Sequence, residues 1–243
     1  MKVIFGSQKI YLGEVDSTNN FAAQLVSDGL CQNGAIVLAD YQTQGKGQRG
    51  NEWVSNKGEN ILMSIVYQPE QLKVSEQIKL NWGTSLAIIS FLDDYGINAK
   101  VKWPNDILVE NQKIGGILLE NHLLNSIVNT SIIGIGVNVN QIDFYLPYVT
   151  SMRNEKKTTF CLKSLTLNLV DKLNYFLFCE FHWLKTEYES KLFLKNQNAC
   201  FEDAKGIFVG KIIGINSDGT LILLKGEETK VYGIKEITFR IDL

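Results

Sequence analysis

The sequence predicts an α+β fold in which a mixed β-sheet flanked by helices is followed by a small β-barrel. Strand-like runs dominate up to about residue 140 and are interrupted by two helical patterns. Helical periodicity rich in Leu and Phe returns over roughly 159–194. After residue 197 the sequence changes to short strands separated by turn signals, which is typical of a small barrel. We therefore expect one domain over residues 1–197 and a second over 198–243.

The first part of the chain contains two predicted helices and three predicted strands. The first helix follows Asp16 and stops at Gly29, a common residue type at a helix C-terminus. The second carries its apolar residues three and four positions apart, as an amphipathic helix requires. In order, we expect a strand at 10–15, the helix ending at Gly29, strands at 35–41 and 60–67, and a helix at about 75–95.

The next segment predicts a β-hairpin and the remaining strands of the sheet. Two apolar runs, 107–110 and 114–120, flank the turn signal Asn111-Gln112, and this pattern favours a hairpin. A strand at 100–104 precedes the hairpin, and a strand at 131–137 follows it. The sequence thus predicts that these strands complete one mixed sheet.

Composition excludes several classes of protein. Apolar residues make up 45% of the 243 residues, which is enough for a packed core without crosslinks. The four cysteines and two histidines lack the spacing of a zinc site. The formal net charge of −2 gives no general attraction to nucleic acid, so we expect no DNA partner. The sequence shows no signal peptide and no run of about 18 apolar residues, so we expect a cytoplasmic protein without a membrane segment.

Residues 40–53 form the most distinctive segment, a glycine-rich loop with two cations. Its glycines and cations are Gly45, Lys46, Gly47, Arg49 and Gly50. Glycines allow close approach of the backbone, and the cations favour an anion. The loop also fits the G-x-G-x-x-G pattern of dinucleotide-binding folds, which requires a helix to begin within it. The residues that follow lack a helical period and lead into another strand, so the dinucleotide interpretation is rejected.

Five segments occur in a fixed order along the chain. They are Asp16-Ser-Thr-Asn19, the glycine-rich loop, Lys102-Trp-Pro-Asn-Asp106, Lys113-Ile-Gly-Gly-Ile-Leu-Leu-Glu120 and Gly134-Ile-Gly-Val-Asn138. In this order and at these spacings they resemble the corresponding segments of the biotin protein ligases. The resemblance covers about residues 10–140 closely, and the remainder of the chain by its general pattern.

The resemblance implies a catalytic domain like that of class II aminoacyl-tRNA synthetases, followed by an SH3-like C-terminal barrel. It implies an enzyme that uses ATP and Mg²⁺ to convert biotin into biotinyl-5′-adenylate. The biotinyl group then passes to a lysine of a biotin carboxyl carrier protein or domain. We expect a monofunctional ligase, because the motifs begin at Asp16 and leave no room for an N-terminal DNA-binding module. Members of the family are monomers or homodimers.

The same resemblance assigns roles to individual residues. Lys113 is similar to the family's catalytic lysine, assisted by Arg49 and Lys102, and such cations suit a reaction between a carboxylate and a triphosphate. The residues implied for biotin are Ser17, Thr18, Asn19, Gln42, Gly45, Lys46, Gly47, Gln48, Lys113, Gly115 and Gly116. Those implied for ATP are Arg49, Asn51, Trp53, Lys102 and Asn138, with Trp53 stacked on adenine. Asp106 either holds Mg²⁺ or orients Lys102.

Several of these residues also suit a purely structural use. Ser17 or Asp16 is a good N-cap for the following helix, and capping the helix is compatible with binding a ligand. A tryptophan such as Trp53 is often part of a core. The pair Gly115-Gly116 is equally typical of a β-bulge.

Two positions of the loop depart from the family pattern. Lys46 and Gln48 stand where arginine is common. A lysine provides a point charge without the planar fork of arginine, and a glutamine provides no charge. We therefore expect weaker side-chain contacts to the adenylate at these two positions.

Two alternatives to biotin ligation stay open from the sequence. A lipoate ligase or octanoyltransferase shares the fold, although such proteins lack this tryptophan-bearing basic loop. A protein that binds biotin without catalysis is the other alternative. Lys113, Arg49 and Lys102 argue against it, because binding biotin alone requires no cations for phosphates.

Overall fold

The structure, a computed structural model, describes residues 3–240, except for the side chain of Arg49. Within these residues the strands form two sheets. Strands β1 to β7 make the first sheet and span Lys9–Leu12, Ile36–Ala39, Asn60–Tyr67, Ala99–Lys102, Asp106–Val109, Gln112–Leu124 and Ile127–Asn138. Strands β8 to β12 make the second and span Asn198–Asp203, Gly206–Ile215, Leu221–Lys225, Glu228–Tyr232 and Thr238–Phe239.

Five α-helices accompany the strands in the described part of the chain. Helices α1 to α5 span Thr18–Ser27, Ile78–Asp93, Met152–Lys156, Leu162–Phe176 and Phe181–Ser190. None of the helices in these residues is long and apolar enough to cross a membrane.

The first sheet is mixed, with the strand order β1-β2-β3-β7-β6-β5-β4. β1 and β2 are parallel, and each other pair of neighbours is antiparallel. One face carries the main apolar core, where α2 lies against the sheet on one side and against α4 and α5 on the other. This position explains why α2 is buried on almost all sides rather than along one stripe.

The opposite face of the first sheet carries α1 and leaves space for a ligand. Ala22 of α1 packs in a small apolar cluster with Val66 and Ile132. Side chains of a strand alternate between faces, so Gly134 and Gly136 of β7 follow Ile132 on this face. At these two positions β7 therefore carries no side chain on this face, and the pocket described below lies there.

The second sheet is antiparallel, with the order β11-β10-β9-β8-β12. It is attached to the first part of the chain by hydrogen bonds. Trp103 Nε1 donates to the carbonyl oxygen of Gly219 at 2.8 Å, and the N–H of Ile215 donates to the Glu189 carboxylate at 2.8 Å. The second sheet begins at Asn198, and the division of the chain into domains at this point stays a prediction.

The predicted fold class is confirmed, and the differences are local. The turn between β5 and β6 lies at Glu110-Asn111, one residue earlier than predicted, because Glu110 takes the left-handed φ of +51°. β6 and β7 extend beyond their apolar runs, since their polar ends continue to pair with each other. The helical region predicted at 159–194 divides into α4 and α5, and the short helix α3 was not predicted.

Candidate active site

The α1 face of the first sheet holds a pocket of about 380 Å³, a volume typical of small-molecule sites. The start of α1, the glycine-rich loop, the β4–β5 turn, the start of β6, the middle of β7 and strand β12 surround it. The structure brings most of the predicted site residues to its walls. They are Ser17, Thr18, Asn19, Gln42, Lys46, Gly47, Gln48, Asn51, Trp53, Lys102, Asp106, Lys113 and Gly116.

Two glycines of β7 form the floor of the pocket. A Cβ atom on Gly134 would lie 2.5 Å from Asn19 Oδ1, and one on Gly136 would lie 2.5 Å from Trp53 Cε2. Both distances are far below van der Waals contact, so the sheet accepts these side chains only because it carries glycine here. Two glycines within one strand are a signal that sequence analysis can use, and they place the polar residues and the tryptophan side by side.

The polar end of the pocket is formed by the start of α1 and by Gln42. The backbone N–H of Thr18 donates to Gln42 Oε1 at 2.8 Å, and the Thr18 hydroxyl oxygen lies 3.0 Å from the same atom. Ser17, Thr18 and Asn19 are all buried. Ser17 is the N-cap residue of α1, but its side chain makes no capping hydrogen bond, so its hydroxyl is free to serve a ligand.

Two residues that the sequence did not single out support the polar end from behind. Ser64 Oγ lies 2.7 Å from Thr18 Oγ1 and 2.6 Å from Asn19 Oδ1. Asn19 Nδ2 donates to Glu120 Oε2 at 2.7 Å. A charged residue inside an otherwise apolar strand was the available signal for Glu120, whereas Ser64 carries no such signal.

The cationic end of the pocket contains Lys113 and Asp106. Lys113 Nζ lies 2.6 Å from Asp106 Oδ1 and 5.5 Å from the centre of the Trp53 ring. The Asp106 carboxylate is thus paired with Lys113, and its predicted role in orienting Lys102 or holding Mg²⁺ stays a prediction. Within the described residues no carboxylate forms an ion pair with Lys102.

A β-bulge places Lys113 on the pocket face of the sheet. Leu108 pairs with Lys113 and Asp106 pairs with Gly116, so β6 contains one extra residue between these positions. In a regular strand Lys113 and Gly116, three positions apart, would project to opposite faces, and the extra residue brings both to the pocket face. The glycines near Lys113 thus mark a bulge, and the bulge itself builds the site.

Lys102, the second lysine of the cationic end, is half-buried. Burial lowers the pKa of Lys102 below its usual value of 10.5, and the charge of Lys113 adds to this effect, while Asp106 opposes it. Lys102 Nζ lies 5.8 Å from the centre of the Phe239 ring in β12. The last strand of the chain therefore contributes to the pocket, which sequence reasoning did not predict.

The turn that carries Lys102 is fixed by its neighbours. Asn105 Nδ2 donates to the carbonyl oxygen of Ile117 at 2.6 Å, and the phenol of Tyr188 donates to the carbonyl oxygen of Pro104 at 2.8 Å. Burial raises the pKa of Tyr188, so its phenol remains protonated and continues to donate. These bonds hold the segment from β4 to β5 in one position against the pocket.

The glycine-rich loop folds into a narrow hairpin above the pocket. The N–H of Gly47 donates to the Asn51 carbonyl at 2.7 Å, and the N–H of Trp53 donates to the Gly45 carbonyl at 2.9 Å. Lys46 Nζ donates to Asn20 Oδ1 at 2.5 Å, which attaches the loop to α1. The predicted role of the Arg49 side chain concerns atoms outside the described part of the structure.

Three predicted ligand residues do not reach the pocket wall. The returning chain at Trp53 fills the space beside Gly45, so this glycine serves the loop's own close packing. Gly115 faces Ile107 on the other side of the sheet, because neighbouring strand residues alternate. Asn138 is 3% exposed and donates to the carbonyl oxygen of Thr150 at 3.0 Å, since the chain after β7 folds over it.

The described residues contain no cluster of three or more metal-binding side chains of the His, Cys, Asp or Glu types. Asp106 is the acidic residue nearest the pocket lysines, and Lys113 already occupies one of its oxygens. The side chains therefore do not fit a metal cage made of protein alone. Mg²⁺ commonly binds through one or two carboxylates together with substrate phosphates, and a single carboxylate is compatible with that mode.

Fold and site together define a small-molecule-binding α+β protein that places a neutral hydrogen-bonding pocket beside two lysines. Residues 12–138 match the model of the biotin/lipoate A/B protein ligase family. Because the match spans more than half of the 243 residues, the protein belongs to this family. The resemblance inferred from the five motifs is thus confirmed.

Individual relatives agree with the family match. The chain is 29% identical to the bifunctional ligase/repressor BirA of Bacillus subtilis over 244 residues, covering 96% of this chain and 73% of that protein. It is 36% identical to the biotin–[acetyl-CoA-carboxylase] ligase of Paracoccus denitrificans over 131 residues, 53% of each chain. The biotin protein ligase from Aquifex aeolicus, solved with biotin and ATP, superposes with a TM-score of 0.80 at 25% identity, covering 96% of this chain and 99% of that one.

Proposed function

We propose that this protein is a biotin protein ligase. It activates biotin with ATP to give biotinyl-5′-adenylate and pyrophosphate, and transfers the biotinyl group to a lysine of a biotin carboxyl carrier protein or domain. One observation carries the proposal. A single pocket joins a neutral hydrogen-bonding end, built by Thr18, Asn19 and Gln42, to a cationic end built by Lys102 and Lys113.

This arrangement suits the two ends of biotin. The neutral end offers hydrogen bonds without charge, which suits the ureido ring. The glycine floor separates it from the lysines and suits the hydrocarbon part of the ligand. The carboxylate of biotin then reaches Lys113, where ATP also has to bind.

Activation joins two anions, so the site has to neutralise charge. The biotin carboxylate oxygen attacks the α-phosphorus of ATP and forms an oxygen–phosphorus bond. The bond from the α-phosphorus to the oxygen that bridges it to the β-phosphorus breaks, and pyrophosphate leaves. Lys113 stabilises the reacting carboxylate and α-phosphate, and Lys102 meets the phosphates. A positioned cation that strengthens its contact in the transition state contributes on the order of 10²–10³ in rate.

Asp106 acts through Lys113 and is a positioning residue. Its carboxylate lies 2.6 Å from Lys113 Nζ and keeps the ammonium group over the pocket when no substrate is present. When the biotin carboxylate arrives, Lys113 can share its protons between the two carboxylates. The backbone of Lys113 is fixed as well, because its N–H donates to the carbonyl oxygen of Tyr148 at 2.7 Å.

We further propose that Mg²⁺ enters the site with the triphosphate rather than in a preformed protein site. When bound, the ion would neutralise phosphate charge, and Asp106 is an acidic residue of the pocket that could contact it. A contact of this kind would compete with Lys113 for the same carboxylate.

The second step needs no protein nucleophile. The lysine amine of the carrier attacks the acyl carbon of the adenylate, AMP leaves, and the amine loses a proton to solvent. Accordingly, no cysteine or histidine of the described residues lines the pocket. The relative from Paracoccus denitrificans is a biotin–[acetyl-CoA-carboxylase] ligase, which supports an acetyl-CoA carboxylase subunit or domain as the carrier.

Lipoate or octanoate ligation is the nearest alternative. A dithiolane ring or a saturated chain has no N–H or carbonyl group to satisfy Thr18, Asn19 and Gln42. An apolar group placed there would leave buried polar atoms without partners, at a cost of about 1–3 kcal/mol each. The polar end of the pocket therefore favours biotin.

The test supplies biotin, ATP and the unmodified carrier domain to the purified protein. We expect biotin-dependent pyrophosphate release, followed by the mass of one biotinyl group on the carrier. Biotin binding measured by calorimetry without any pyrophosphate release would instead establish a non-catalytic biotin-binding protein.

A further inference from the structure

Glu120 and Ser64 lie behind the polar end of the pocket and do not line it. Both residues nevertheless hydrogen-bond to side chains that do line it. Glu120 contacts Asn19, and Ser64 contacts both Asn19 and Thr18. The chemistry of these groups determines the direction of each hydrogen bond in the network.

The Glu120 carboxylate determines the orientation of the Asn19 amide. An ionised carboxylate only accepts hydrogen bonds, so Asn19 has to turn Nδ2 towards Glu120. Asn19 Oδ1 then faces Ser64 Oγ at 2.6 Å. Because an amide oxygen only accepts, the single proton of the Ser64 hydroxyl has to point to Asn19.

The contacts with Ser64 and Gln42 determine where the Thr18 hydroxyl proton points. Ser64 Oγ and Thr18 Oγ1 are 2.7 Å apart, and because the Ser64 proton is directed to Asn19, the single Thr18 proton is shared between Ser64 Oγ and Gln42 Oε1. The Thr18 proton is thus directed into the protein, towards Ser64 and the neighbouring Gln42 Oε1. On the pocket side, Thr18 Oγ1 is left with lone pairs and acts as an acceptor.

Gln42 presents the opposite polarity. Its Oε1 accepts from the Thr18 backbone N–H, so Nε2 points away from Thr18. Gln42 lines the pocket, and its Nε2 lies beside Gly45 of the glycine-rich loop, where a Cβ atom would be 3.0 Å from it. No acceptor among the described residues is bonded to Nε2, so it is free to donate to a ligand. An acceptor and a donor side by side match one N–H and the adjacent carbonyl of a cyclic urea.

We propose that Glu120 and Ser64 are positioning residues that fix the donor and acceptor polarity of the urea-binding end of the pocket. The inference rests on the proposed function, because it assumes that the ligand is biotin. Neither residue touches the ligand. Each one acts by setting the direction of a proton or an amide that does.

Two variants test the inference. Glu120→Gln keeps the shape but can donate as well as accept, so the Asn19 amide is no longer forced into one orientation. Ser64→Ala removes the donor to Asn19 Oδ1 and one of the two acceptors of the Thr18 proton, so neither the Asn19 amide nor the Thr18 hydroxyl is held in one direction as firmly. Asp94→Asn is the matched control, since Asp94 accepts from Asn168 Nδ2 at 3.1 Å at a distance from the pocket.

The measurement is pyrophosphate release as a function of biotin, ATP and 2-iminobiotin concentration. In 2-iminobiotin an N–H group replaces the urea carbonyl oxygen, so the analogue presents a hydrogen-bond donor where biotin presents an acceptor. We expect each test variant to raise the KM for biotin on the order of tenfold, with little change in the KM for ATP. The preference for biotin over 2-iminobiotin should also shrink on the order of tenfold. A residue that only supported the fold would change the melting temperature without changing this preference.

The outcomes separate the inference from the proposed function. If the wild-type protein releases no pyrophosphate with biotin, the proposed function is wrong before any variant is considered. If the wild-type protein and Asp94→Asn are active, and Ser64→Ala keeps the wild-type KM for biotin and the wild-type preference, the inference alone is wrong. Ser64→Ala decides the question even where Glu120→Gln does not fold, because it removes only one hydroxyl group.

Discussion

The two ends of the pocket are held in different ways. At the polar end Asn19 and Ser64 each make two short side-chain contacts; Thr18, Asn19 and Ser64 are buried and Glu120 is half-buried. At the cationic end one ion pair joins Lys113 and Asp106, whose side chains remain 34% and 26% exposed. The difference indicates that recognition of the ring is preorganised, whereas the charges around the reacting atoms are free to exchange partners when substrates bind.

The largest effect should come from removing the charge at the cationic end. We expect Lys113→Ala to reduce adenylate formation by about 10²-fold or more, because the reacting carboxylate and phosphate lose their shared cation. Calorimetry should show a much smaller loss of biotin affinity, since the polar end is unchanged.

The exposed residue Lys100 on the neighbouring strand β4 provides the control for Lys113. Lys100→Ala should leave both turnover and biotin affinity at wild-type values. Near-normal turnover of a folded Lys113→Ala protein would remove Lys113 from the mechanism.

The next effect concerns Trp53, which lies between the two ends. If Trp53 stacks on adenine, Trp53→Ala should weaken ATP binding by about 1–3 kcal/mol, which appears as a higher KM for ATP. The KM for biotin should change less. The ring also covers Gly136 and Gly116, so steady-state kinetics with each substrate varied in turn decides between the two ligands. A selective rise in the KM for biotin would assign the ring to biotin instead of adenine.

A smaller effect is expected for Asp106, whose carboxylate is paired with Lys113. Asp106→Asn should lower kcat on the order of tenfold while the KM for biotin stays constant, because the ammonium group loses its partner but not its charge. Measuring kcat over a range of Mg²⁺ concentrations separates the two predicted roles. Recovery of full turnover at high Mg²⁺ would favour metal binding over positioning of Lys113.

The smallest effect is a pH dependence at Lys102. Burial lowers the pKa of Lys102, so its charge is lost, as pH rises, before the ordinary value of 10.5 is reached. The KM for ATP should therefore increase by a few-fold over this range. In Lys102→Arg the charge persists, so the KM for ATP should stay flat with pH. The same rise in both proteins would assign the pH dependence to another group.

Much of the site could be predicted because its residues lie in local motifs. Ser17 to Asn19 begin a helix, and Lys113 lies next to a glycine pair, so short segments of sequence already contain both pattern and chemistry. The mixed sheet was equally accessible, because alternating or continuous apolar runs identify its strands.

The remaining features depend on contacts that no local pattern contains. The pairing of Asp106 with Lys113 follows from the register and the bulge between β5 and β6. Phe239 reaches Lys102 only through packing of the second sheet against the first. Ser64 looks like an ordinary strand residue until the register of β3 and β7 places it opposite Gly134. Each of these facts is a property of the tertiary structure.

The most direct measurement of the central claim compares biotin with lipoate in ATP-dependent pyrophosphate release under identical conditions. The two acids present the same carboxylate to Lys113 and differ at the ring, where only biotin offers urea N–H and carbonyl groups. We predict robust release with biotin and background release with lipoate, because a preorganised polar end rejects an apolar ring. Comparable release with both acids would contradict the account, since it would mean that the hydrogen-bonded end of the pocket does not select the substrate.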